Sequence, residues 1–163
     1  MLMDRAFYDI PRGARNVVTD FYLSRSPEEF TPDERRVLEA KTKAWFSLFQ
    51  IESIDAGASA IFLSDLINNS GPFKLIDINL SASGSSNFLL ATRLLPFGDW
   101  CMTSGISYPF EAKQAQELLG GLKRRVLGSA KKKYRTIPPE DYSRYFFLQF
   151  KAQSEIETRY EDV

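Results

Sequence analysis

Histidine is absent from this 163-residue chain, and cysteine occurs once, at Cys101. The absence of histidine removes the imidazole base of serine and cysteine hydrolases and the histidine-bearing zinc sites. A single cysteine allows no intrachain disulfide, so a reducing compartment is the natural setting. The opening MLMDRAFYDIPRGARN lacks the apolar core of a signal peptide, and no run approaches the roughly 20 apolar residues of a membrane span. A soluble cytoplasmic protein with no membrane contact is expected. No cofactor or metal is expected, and no residue is assigned a catalytic role.

Aromatic side chains, by contrast, are plentiful: 13 Phe, 7 Tyr and 2 Trp. Rings in this number fill a core, and any excess can cover a partner surface. Formal charge is zero, with 21 acidic and 21 basic residues. Its distribution is uneven, because residues 112–135 hold eight basic residues against the one acid Glu117.

Helix-start chemistry occurs twice near the beginning. Ser26-Pro27-Glu28-Glu29 and Thr31-Pro32-Asp33-Glu34 each place a hydroxyl at the N-cap, proline next, and glutamate where it can return to the cap amide. The second predicts a helix over Pro32–Lys43, and NVVTDFYL has helical spacing upstream of it. Five short apolar runs follow, at Phe46–Ile54, Ala60–Ile67, Phe73–Leu80, Asn87–Leu95 and Trp100–Ser107, separated by turn residues. They predict an antiparallel meander, bent or closed into a small β-barrel. The link SASGSSN between the third and fourth runs lacks a P-loop lysine and reads as a hairpin turn.

Helical period returns at Glu111 and runs towards Tyr134, with Gly120-Gly121 as a weak point. Another helix follows Ile137-Pro138-Pro139. The fold class is therefore α+β: an N-terminal helical segment over 1–44, a β core over 45–110, and C-terminal helices over 111–163 packed on the same domain or on a partner subunit.

Few residues suggest chemistry. Arg93 interrupts the apolar run LLATRLL and needs a carboxylate partner or a ligand, with Asp65 and Asp77 the first candidates for a pocket or ion pair. Lys123, Arg124, Arg125, Lys131, Lys132, Lys133 and Arg135 could meet nucleic-acid phosphates or an acidic partner, and Tyr134 could stack on an unpaired base. The same lysines would also suit a solvated helix end. Tyr142, Phe146, Phe147 and Phe150 make the last helix aromatic on several sides, which suggests a partner helix or self-association.

The acidic opening TPDERRVLEA, then FSLFQI, IFLSDLI and LLATRLLPFGDWCMTSG, together resemble a region of uncharacterised bacterial proteins, some of which carry a SecA-like zinc-binding tail (SEC-C). The resemblance spans roughly Phe21–Phe110. It implies a bacterial origin and a compact β-rich domain but no activity, and the tail's zinc ligands are missing here. Three readings follow: a noncatalytic binding or assembly module, with homo-oligomers as one form of that assembly; a module binding RNA or single-stranded DNA through 123–135; and, third, a carboxylate- or metal-dependent enzyme.

Overall fold

The computed structural model of the protein describes residues 2–10, 15–83, 86–125 and 134–161, with side chains over 3–10, 15–83, 86–122 and 137–153. Three helices come first: α1 (Leu2–Tyr8), α2 (Val17–Leu23) and α3 (Pro32–Thr42). The two helix-start signals form as their chemistry dictates. Thr31 Oγ1 accepts from the Glu34 amide while the Glu34 carboxylate accepts from the Thr31 amide at 2.9 Å. Ser26 and Glu29 repeat this box on a single 3-10 turn, Pro27–Glu29. Such reciprocal bonds satisfy amide donors that a helix start otherwise leaves free.

Five strands follow: β1 (Trp45–Asp55), β2 (Ala60–Asp65), β3 (Ser70–Ile76), β4 (Phe88–Pro96) and β5 (Cys101–Glu111). They make one mixed sheet, and the expectation of a purely antiparallel meander is corrected accordingly. β3 and β5 run parallel, and they meet at one residue pair, Leu75 and Cys101. Antiparallel ladders join the remaining neighbours, so the pairing order runs β1-β2-β3-β5-β4 and returns to β1. The long β1 serves two neighbours. Trp45–Gln50 pair with β4 and Phe49–Asp55 with β2, with a bulge between Ile51 and Ser53 where the strand bends.

SASGSSN is also corrected, from hairpin turn to part of a crossover. Its first three residues finish α4 (Ile78–Ser83), which carries the chain from β3 to a β4 that is not its neighbour. Asp77 starts this helix, its Oδ1 accepting from the Leu80 amide at 2.9 Å. Leu80 packs against the apolar inner side of the sheet, which is made of Phe49, Ile51, Ile61, Leu63, Leu75, Leu90, Leu94 and Cys101.

The long helix expected after Glu111 is short. α5 (Ala115–Gly121) stops at the glycine pair, and Lys123–Arg125 instead form β6, paired with β7 (Tyr134–Thr136). Gly121 has a packing reason: a Cβ there would lie 2.1 Å from Tyr145 Oη, which donates to the Leu118 carbonyl at 2.9 Å. The final helix is α6 (Tyr142–Glu161). Its Tyr142, Tyr145 and Phe146 join Phe46, Leu48, Leu89, Ala91, Tyr108 and Phe110 in a second core on the outer side of β1, β4 and β5.

Candidate functional site

Arg93 lies on that helix-covered side, in the row Leu89, Ala91, Arg93 along β4, opposite Phe46 in register. It is 3% exposed, and its partners are neither Asp65 nor Asp77 but Asp4 and Asp9, from the start of the chain. Nε donates to Asp4 Oδ2 at 3.2 Å and an η nitrogen to Asp9 Oδ1 at 2.5 Å. The guanidinium carbon sits 4.4 Å from the Tyr8 ring centroid and 5.6 Å from that of Phe46. Ser143, in the first turn of α6, donates to the other Asp9 oxygen. One arginine thus ties the sheet to α1 and, through Asp9, to α6.

Two buried carboxylates share this single guanidinium, and the electrostatics record the shortage. Burial raises the Asp9 carboxyl above the ordinary carboxylate range, against the opposing pull of Arg93 and Ser143. Burial, reinforced by the Asp4 charge, also raises the Tyr8 and Tyr108 phenols. With its fork occupied by carboxylates and its flat faces by rings, Arg93 acts as an internal clasp.

The clasp turns α1 inside out. Asp4 and Asp9 face the protein at 8% and 7% exposure, while Met3 is 67% exposed and Phe7 and Ile10 also face solvent. MLMDRAFYDI contains the signal for this in its alternation of acid and apolar positions. Hydropathy alone assigns the two faces the wrong way round, because the acids are buried by a partner about ninety residues away.

Asp65 and Asp77 stand at opposite ends of the β2–β3 hairpin, since Asp65 pairs with Ser70 and Asp77 follows Ile76, which pairs with Ala60. About six strand rises, roughly 20 Å, separate them, too far for the two carboxylates to share a site. Asp65 is saturated: it accepts from Ser47 Oγ at 2.6 Å, Trp45 Nε1 at 3.2 Å, the Ile67 and Asn68 amides, and Asn68 Nδ2. Its role is to close the end of β2. Among the described residues, no group of three or more Asp, Glu or Cys side chains could hold a metal ion.

The aromatics of α6 are likewise used internally. Tyr142 and Phe146 are buried, and Phe147 and Phe150 approach Tyr108 at 6.0 and 5.6 Å between ring centroids. Of the basic cluster, Lys123, Arg124 and Arg125 stand on β6, and Tyr134 and Arg135 on β7. Lys131, Lys132 and Lys133 lie outside the described residues.

A surface missed by sequence reasoning remains on the outer side of β1, β2 and β3. There an open groove of about 530 Å³ is lined by Glu52, Ser53, Phe62, Ser64 and Pro72. The alternation in AIFLSD produces it: Ile61 and Leu63 point into the sheet's inner core, leaving Phe62 and Ser64 on the opposite side. Lys74 lies opposite Phe62 in register. One acid, one base, two hydroxyls and a half-buried ring thus lie together on this surface.

Among the described residues, no helix is long and apolar enough to cross a membrane. No curated protein and no solved structure matches the chain. A family model does match, over residues 1–151, from the inverted first helix to the aromatic half of α6. The chain belongs to that family, a family of unknown function (DUF7986).

Proposed function

We propose that the protein is a noncatalytic binding module that receives an extended polar chain across the outer side of β1, β2 and β3. The carrying observation is the groove over Glu52, Ser53, Phe62, Ser64 and Pro72 on a side of the sheet that the described helices leave open. The pairing order supports it. Five strands in the order β1-β2-β3-β5-β4, a helix between β3 and β4, and a thin parallel seam are the arrangement of a partly open OB-type barrel. Sheets of that type bind oligonucleotides and oligosaccharides over strands 2 and 3. Fold alone does not carry function, so the choice between those ligands rests on the groove. Glu52 offsets Lys74 and no cationic track runs along it, which favours a saccharide chain over a phosphate chain. Ring, hydroxyl and carboxylate groups suit sugar faces and hydroxyls.

Titration of the isotope-labelled protein with linear oligosaccharides should move the amide signals of Glu52, Ser53, Phe62 and Ser64, and Phe62→Ala should abolish the change. Signals that stay fixed, or that move only on α6, would refute the proposal. A reducing, cytoplasmic setting agrees with Cys101 as a buried free thiol at the β3–β5 seam, and the resemblance over Phe21–Phe110 favours a bacterial source.

Assembly is a second reading, and the inverted helix favours it. Met3 and Phe7 lie one turn apart on α1, Ile10 follows just beyond its end, and all three are exposed. Light scattering should then report a dimer that Phe7→Glu dissociates, and a monomeric parent protein would remove this reading.

A further inference from the structure

The β6–β7 ribbon contains a local conflict between sequence and pairing. Its register sets Lys123 opposite Thr136, Arg124 opposite Arg135, and Arg125 opposite Tyr134. Residues directly opposite in an antiparallel ladder share a face, and like charges there are destabilising. Four of the six ribbon residues are basic and none is acidic. The ribbon forms because its base is tied into the core: Leu122 and Ile137, which flank it, are buried beside α6, and the Ile137 amide donates to the Leu122 carbonyl at 2.7 Å. Where a sequence opposes its own fold in this way, a ligand that relieves the conflict is the physical resolution.

We infer that this ribbon is a nucleic-acid-binding arm that contacts the phosphate backbone of a single strand. Arg124 and Arg135, opposite in the register, supply the charge for a bridging phosphate. Arg125 and Tyr134, also opposite in the register, are the residue types that stack on an unpaired base. An acidic protein segment would satisfy the charge but would leave that aromatic–arginine pair without a purpose. The site is separate from the groove on β1, β2 and β3, so the two proposals stand or fall independently.

The test is fluorescence anisotropy of labelled oligo(dT) and oligo(rU) with the full chain over a range of salt concentrations. Affinity should fall linearly with the logarithm of salt concentration, and Arg124→Gln with Arg135→Gln should flatten the slope by about 1.4, two phosphates at ~0.7 each. The charge reversal Arg124→Glu with Arg135→Glu should weaken binding about tenfold or more at low salt. Thermal denaturation should show both double variants folded, with the glutamine variant no less stable than the parent, because its like-charge pair is gone. Phe62→Ala should leave oligonucleotide binding unchanged. Absence of binding at low salt, parental affinity in both double variants, or equal competition by polyglutamate would each overturn the inference.

Discussion

The two outer sides of the same sheet have opposite fates. On β4 every residue from Leu89 to Leu95 is buried, because the inner core lies on one side and α6, α3 and the Arg93 clasp lie on the other. On β2, Ile61 and Leu63 are buried while Phe62 and Ser64 remain partly accessible. A continuous apolar run therefore marks a strand covered twice, and alternation marks a strand covered once. Stability is concentrated on the first side, and surface free for a ligand lies on the second.

Substitutions can break this contrast, and the largest effect is expected at the clasp. Arg93→Met leaves Asp4 and Asp9 buried without their cation and should cost about 3–5 kcal/mol, read by urea denaturation. Phe146→Ala, which opens a cavity between α6 and the sheet at a fully buried ring, should cost about 3–5 kcal/mol by the same measurement. Gly121→Ala forces the Tyr145 ring away and disturbs its bond to the Leu118 carbonyl, at a cost of about 1–3 kcal/mol.

The pH dependence sharpens the contrast further. Burial raises the Asp9 pKa in the folded protein, so the native state binds that proton more tightly than the unfolded chain does. The contribution to stability is fully present below the ordinary carboxylate value and is lost as pH rises through the raised one. Melting temperature should fall across that window, and Asp9→Asn should flatten the fall. At the other extreme, Glu52→Gln on the open side should change stability by no more than about 0.5 kcal/mol. A larger loss would mean that this side is covered after all.

Much of the local structure was legible. Thr31, Pro32 and Glu34 are sufficient to start α3, because the capping bonds are made within four residues. The five strands lie close to their expected positions, since period and turn residues are local signals. Gly120-Gly121 weakens a helix, and α5 ends there. The candidate groove was not legible, because it needs the side of β1, β2 and β3 that the helices leave open, and which side they cover is decided by packing. The partners of Arg93 were missed for a similar reason: nearby Asp65 is consumed by five donors of its own, and the acids that serve Arg93 precede it by more than eighty residues.

The sequence by itself determined the start of α3 and the approximate places of the five long strands, that Arg93 would need a partner, and that imidazole chemistry has no place here. Capping, alternation and composition act over a few residues, so they can be read in order along the chain. Tertiary structure alone decided that β3 lies beside β5 rather than β4, that α1 turns its acids inward, and that the KRR segment pairs with YRT. Each of those outcomes depends on which distant group reaches a buried charge or an open strand edge first, and only packing in three dimensions supplies that choice.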